Sequence, residues 1–159
     1  MKNFASTTET TLDDFDRAIL RIVQSDNQRS HASIGEDVDL SASAVRRRLA
    51  RLRKVGVITR DVSIVEAAKL GETLVLTVSF REESPEIYTA FELQMQALPE
   101  VRQCYHIAGD SDYMLIVHVP SLEFYENWAK EQFMNNEAVR RYDTIVVWSC
   151  KKFDTAVPV

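Results

Sequence analysis

Apolar residues in the first third of the chain recur at helical spacing. Leu12, Phe15, Ile19, Ile22 and Val23 share one face of a helix. Asp13, Asp14 and Asp16 crowd its first turn, where the helix dipole favours anions, and Asp26-Asn27-Gln28 ends it. A short second helix is predicted over about Ala32–Val38, capped by His31 or Ser33 and burying Ile34 and Val38. Gly35 inside it costs about 1 kcal/mol relative to Ala. After a tight turn at Asp39-Leu40-Ser41, Val45, Leu49 and Leu52 form the apolar stripe of a third helix. Ser41 or Ser43 supplies its N-cap and Gly56 follows its last turn. Residues 57–65 alternate partly at period two, which suits a short β-wing or a strand leading into a hinge.

From residue 74 the pattern becomes that of a mixed sheet domain. Leu74–Phe80 is rich in β-formers, and Ser84-Pro85-Glu86 opens a helix with Ile87, Phe91, Met95 and Leu98 as its stripe. Pro99 stops that helix. Val101–Ala108 and Tyr113–Val119 read as a hairpin across the turn Gly109–Asp112. Pro120-Ser121 opens a second helix that buries Phe124, Tyr125, Trp128, Ala129 and Phe133; Asn135-Asn136 breaks it, and Thr144–Cys150 is a fourth strand. The order β-α-β-β-α-β is the ferredoxin-like plan. Both helices then cover one sheet face, and the bare face calls for a partner, so a homodimer is the minimum assembly.

The predicted fold class is therefore α+β: an N-terminal winged helix-turn-helix and a C-terminal ferredoxin-like βαββαβ domain. The expected divisions are a polar mobile arm (1–11), a three-helix head (12–59), a hinge or linker strand (60–73), a mixed sheet domain (74–152) and a tail (153–159).

Charge sharpens this picture. The chain of 159 residues has a net charge of −5, yet Arg46 to Lys54 places six cations in nine residues with no acid among them. Residues 1–65 have a net charge of +2 and residues 66–159 of −7, an anion-seeking part joined to an acidic one. A solvated helix face usually mixes signs to gain i,i+4 pairs, and this one does not. With about 100° per residue, Ser43, Arg47, Ala50, Arg51 and Lys54 point away from the apolar stripe. Helix, short turn, basic helix is the arrangement that places its second helix in a DNA major groove. No apolar run approaches the roughly 18 residues of a membrane span. Cys104 and Cys150 make neither a disulfide framework nor a four-ligand metal site. A cytoplasmic protein without cofactor is the expectation.

With both halves placed, the chain resembles the leucine-responsive regulator/asparagine-regulator family of transcription factors from about Leu12 to Lys152. The residues that carry the likeness are LDDFDRAIL, the turn Leu40-Ser41, and Arg48-x-x-Arg51-Leu52-x-x-x-Gly56-x-Ile58. The most specific is Cys104-x-x-x-Ala108-Gly109-Asp110-x-Asp112-Tyr113-x-Leu115. Asp39 and Gly35 depart from the pattern, as do Ala42 and Ala44, where relatives often carry Pro. The resemblance implies a regulator that is not an enzyme, a homodimer assembling to a tetramer or octamer, and an amino acid bound between dimers.

Ser43, Arg47 and Arg51 are the expected contacts to base edges of double-stranded DNA, since Arg bidentate to guanine is the commonest specific pairing. Ser41, Arg46, Arg48, Lys54 and Arg60 are the expected phosphate contacts. For Arg48 and Arg51 an ion pair with the acids of the head is the open alternative. An amino-acid zwitterion needs N–H donors, which Ala108, Gly109, Asp110 and Ser111 can offer, and an ammonium acceptor, Asp112 or Asp110. Tyr113 completes that motif. By position the resemblance adds His106, Leu122, Met134, Ile145, Val146 and Val147. Asp110 and Asp112 have turn-shaping as their alternative role, and the strand residues have packing. The enzymatic alternative, a tetrapyrrole (sirohaem-type) decarboxylase on the same fold, would use His106, His118 and Tyr105, but those enzymes lack the Gly-Asp-x-Asp-Tyr hairpin.

Overall fold

A computed structural model describes residues 11–159; the arm expected over 1–11 lies outside the described residues apart from Thr11. The chain divides into two units, one comprising the residues up to Ser63 with Lys152–Val159, the other Ile64–Lys151.

The first unit contains three helices: α1 (Asp14–Ser25), α2 (His31–Asp37) and α3 (Ala42–Lys54). Asp13 caps α1 in a reciprocal capping box with Asp16. Ser30 caps α2, one residue before the expected His31, because its hydroxyl accepts from the Ser33 amide at 3.1 Å. Ser41 caps α3 through the Ala44 amide, and Gly56, at φ 78°, closes it. The Val57 amide bonds to Leu52 O (3.0 Å) and the Gly56 amide to Arg53 O (3.1 Å), the paired bonds of a Schellman end. Ile19, Ile34, Val38, Val45 and Leu49 form one apolar core, each worth about 1.5–3 kcal/mol of transfer free energy. The turn into α3 takes Asp39 through a left-handed conformation at φ 54°.

The wing strand expected over 57–65 does not form. Residues 57–66 carry neither helix nor strand, because among the described residues of this unit no strand offers an edge to receive their backbone groups. Residues 153–159, expected as a separate tail, belong with Lys152 to the head unit. Gln24 accepts from the Val157 amide (2.8 Å) and donates to Val157 O (3.1 Å), and Arg21 Nε donates to Val159 O (2.9 Å).

The second unit is a four-stranded antiparallel sheet in the order β2-β3-β1-β4, built from β1 (Glu72–Phe80), β2 (Val101–His106), β3 (Tyr113–Val119) and β4 (Val139–Val146). Two helices, α4 (Pro85–Ala97) and α5 (Leu122–Ala129), the latter prolonged by a π turn over Lys130–Met134, pack on one face. Leu74, Leu76, Val78, Leu115, Val117, Phe91, Met95 and Trp128 are buried there. The alternate positions Thr73, Val75, Thr77, Met114, Ile116 and His118 are only half-buried, and Ile145 and Tyr105 are exposed. This is the bare face expected from the alternation.

The fourth strand starts at Val139 and ends at Val146 rather than spanning Thr144–Cys150. Its register is set by β1: Leu74 pairs with Val146, and beyond Val147, whose amide bonds Thr73 O, nearly all of β1 has been used. The second strand likewise ends at His106, two residues early, where the hairpin turn begins.

Candidate nucleic-acid interface and effector site

Helix α3 has one wholly buried side and one wholly exposed side. Val45, Leu49 and Leu52 are at most 3 % exposed, whereas Ser43, Arg46, Arg47 and Lys54 are exposed, as is Arg60 in the following segment. Among the described residues, Arg46, Arg47, Lys54 and Arg60 make no ion pair. The cap hydroxyl of Ser41 lies 3.1 Å from that of Ser43, so both sit at the N-terminal end of the exposed face.

Arg48 and Arg51 are placed differently from their neighbours. Arg48 pairs with Asp13 (2.7 Å) and Asp16 (2.9 Å), its guanidinium lying over the Phe15 ring, and Arg51 pairs with the other oxygen of Asp16. Asp16 is 1 % exposed. The intramolecular ion pair left open for these two arginines is the arrangement in the structure. They clamp α3 to α1, with Arg48 24 % and Arg51 41 % exposed at the side chain. The Asp16 amide and then Arg48 hold the Asp13 carboxyl below its ordinary value, and Asp13 in turn raises Arg48. Asp16 was legible as a polar residue on the same helix face as Ile19, Leu20 and Val23, aimed at the one element rich in cations. Arg53, outside the expected contacts, is paired with Asp61 at 3.1 Å.

In the second unit the hairpin tip combines an open backbone with a committed carboxylate. The Ile107 amide bonds to Asp112 O and the Asp112 amide to Val78 O. Between them, the amides of Ala108, Gly109, Asp110 and Ser111 make no hydrogen bond among the described residues. Gly109 takes φ 154°, and a Cβ built on it would meet nothing within 4 Å. The turn therefore needs Gly for its conformation, and the space before it is open. The Asp112 carboxylate accepts from the Phe80 amide (2.8 Å) and from the Tyr88 hydroxyl (3.0 Å), tying the hairpin to β1 and α4. Burial, and then this carboxylate, pushes the Tyr88 hydroxyl up to about 12. Asp112 thus has a structural task, whereas the Asp110 side chain has no such partner among the described residues.

Tyr113 is buried, donates to Glu92 at 2.8 Å and stacks on His106 with ring centroids 4.9 Å apart. Burial and then Glu92 raise its pKa. The remaining expected residues do not gather around the hairpin. Val119 pairs with Glu72 and Val146 with Leu74, whereas Tyr113 pairs with Val78 and Val139 with Phe80. Leu122, Ile145, Val146 and Val147 therefore lie at the opposite end of the sheet from Ala108–Asp112, roughly 20 Å away at 3.3–3.4 Å per strand residue. Met134, 63 % exposed, is near the hairpin's end of the sheet. One protomer does not unite these residues into a single pocket.

Among the described residues no group of His, Cys, Asp and Glu could hold a metal ion, and no helix is long and apolar enough to cross a membrane.

Two family models match the chain: the AsnC-type helix-turn-helix domain over residues 12–53 and the Lrp/AsnC ligand binding domain over residues 73–157. An uncharacterized HTH-type transcriptional regulator of Sinorhizobium fredii is 36 % identical over 150 residues, 93 % of this chain and 89 % of its own. The transcriptional regulator AzlB of Bacillus subtilis is 32 % identical over 150 residues, covering 93 % of this chain and 96 % of its own. Among solved structures, an AsnC family transcriptional regulator from Agrobacterium tumefaciens superimposes with a TM-score of 0.85 at 30 % identity, over 92 % of this chain and 97 % of that one. These relatives are named as regulators, not as decarboxylases. With a helix-turn-helix head, a ligand-binding sheet domain and relatives over almost its whole length, the chain belongs to the Lrp/AsnC family of transcriptional regulators.

Proposed function

We propose that this regulator reads a specific DNA site with α3 and that an amino acid bound between dimers changes its assembly or its DNA affinity. The observation that carries the DNA reading is the helix α3 itself: Arg46, Arg47 and Lys54 stand exposed, without ion-pair partners among the described residues, opposite a stripe that is entirely core. Ser43 and Arg47 near the helix start are assigned to base edges; Ser41, Arg46, Lys54 and Arg60 are assigned to phosphates. Arg48 and Arg51 act through Asp16, setting the angle at which α3 is presented. Residues 60–73 join the head to the sensing domain, whose bare sheet face is the dimer surface.

Mobility shifts on duplexes enriched from a random pool, and on their scrambled counterparts, test the assignment. Arg47→Ala is expected to lose about 1–3 kcal/mol of discrimination between the two, whereas Lys54→Ala weakens both about equally and reduces the salt slope by about one. Equal losses on both duplexes for Arg47→Ala would sink the base-reading role.

For the effector, the row of unpaired amides from Ala108 to Ser111 suits a carboxylate, with Asp110 rather than the committed Asp112 facing the ammonium. His106 and Tyr113 lie behind the hairpin. Leu122, Met134, Ile145, Val146 and Val147 are assigned to the same response, the distant ones through a second protomer. Calorimetric titration of the assembled protein with each of the twenty amino acids is the test. At least one should give heat, and Asp110→Asn should weaken it about tenfold, the loss of one charge-assisted hydrogen bond. No heat with any amino acid removes the sensing reading.

A further inference from the structure

The second unit is acidic, and its few cations are not spread evenly. Residues 64–151 contain seven Lys and Arg against fourteen Asp and Glu. Three of the seven, Arg81, Arg140 and Arg141, line one open pocket of about 340 Å³ together with Phe133, Met134, Val139 and Tyr142. Like charges are not brought together in an acidic domain without cost.

The sheet register explains how the two adjacent arginines come to share the pocket. Ser79 pairs with Arg141 and Phe80 with Val139, so Arg140 is the extra residue of a bulge. In a regular strand neighbouring side chains point to opposite faces; a bulge re-aims one of them, as happens often beside binding sites. Arg81 is held by its Nε, which donates to Glu137 O at 3.0 Å, and its terminal nitrogens make no hydrogen bond among the described residues. Arg141 is partly offset by Asp143 at 2.8 Å. Arg140 makes no ion pair among the described residues, so the cationic charge here exceeds the one carboxylate that answers it.

We propose that this pocket binds a small organic dicarboxylate, its carboxylates on the guanidinium forks of Arg81 and Arg140 and its carbon chain over Phe133, Met134 and Val139. All three cations are arginines, whose planar forks match a carboxylate with two parallel bonds where a lysine offers a point charge. The pocket shares only Met134 with the residues assigned to the amino-acid response, and the proposed ligand needs no ammonium acceptor.

The test is calorimetric titration of the assembled protein at low ionic strength with succinate, sodium phosphate and L-leucine as separate probes. Succinate is expected to bind and leucine not to compete with it. Arg140→Gln and Arg81→Gln are each expected to weaken succinate about tenfold, and Arg140→Lys by less, since charge survives without the fork. Arg140 is exposed, so its substitution is expected to leave the core intact, and an unchanged circular dichroism spectrum is the control. Absence of succinate binding overturns the proposal, as does equal binding by wild type and Arg140→Gln. Phosphate binding that depends on the arginines, with succinate inert, overturns the carboxylate class. Because succinate lacks an ammonium, its result is independent of the hairpin reading, which the amino-acid titrations test.

Discussion

Asp16→Asn is expected to destabilise the head by about 2–3 kcal/mol, measured as faster hydrogen exchange throughout α1 and α3. Removing one partner of an enclosed ion pair costs about 3–5 kcal/mol. The lower figure applies because Arg48 and Arg51 keep side-chain exposures of 24 % and 41 % and can turn toward water. The variant keeps one side-chain oxygen, so the bond from the Asp13 amide and those from Arg48 and Arg51 must compete for it. Its DNA binding separates two roles for the arginines. If they serve as a clamp, the variant loses stability and its released cations strengthen binding to any duplex. If they serve mainly as DNA contacts, stability should hardly change and discrimination should remain. The clamp also has a sign with pH. Asp13 is depressed below its ordinary value, so its contribution is complete above the unfolded carboxylate range and is lost as pH falls through the depressed value.

Gly35→Ala is expected to destabilise the head by about 2 kcal/mol, against the sign of helix propensity. In an open helix the change gains about 1 kcal/mol. Here a Cβ would lie 2.3 Å from Leu40 O, a backbone atom that the turn holds in place through the Leu40 amide to Gly35 O bond at 2.9 Å. Overpacking of this kind costs about 1–3 kcal/mol beyond any propensity gain. Thermal unfolding followed through helical circular dichroism decides the sign; a stabilised variant would mean that α2 and the turn can separate without penalty. The contact between α2 and the turn into α3 thus leaves no room for a side chain at Gly35.

Most of the fold was legible because its signals are local. The stripe Val45, Leu49 and Leu52, the caps before α3 and after it, Pro85 at the start of α4 and the alternation in Tyr113–Val119 depend on neighbours within a few residues. The misplacements share one cause. The ends of the last strand, from Val139 to Val146, follow from pairing with β1, and the alternating segment 57–65 joins no ladder among the described residues. Propensity gives a residue's preference for extended backbone, but a ladder also needs a partner in the right register.

The site divides along the same line. That a basic face would stand opposite a buried one on α3, and that Gly109 would head a donor-rich turn, follows from side-chain spacing and from glycine's freedom at positive φ, both local properties of the chain. Which cations on that helix remain unpaired was settled by folding, since Asp16 claims Arg48 and Arg51 from more than thirty positions away. The same holds for Asp112, which is bound to Phe80 and Tyr88 rather than left facing solvent, and for Arg81, brought beside Arg140 by strand pairing and a bulge. Coulomb attraction and hydrogen bonding act on distance in space, and a one-dimensional pattern carries charge and periodicity but not those distances.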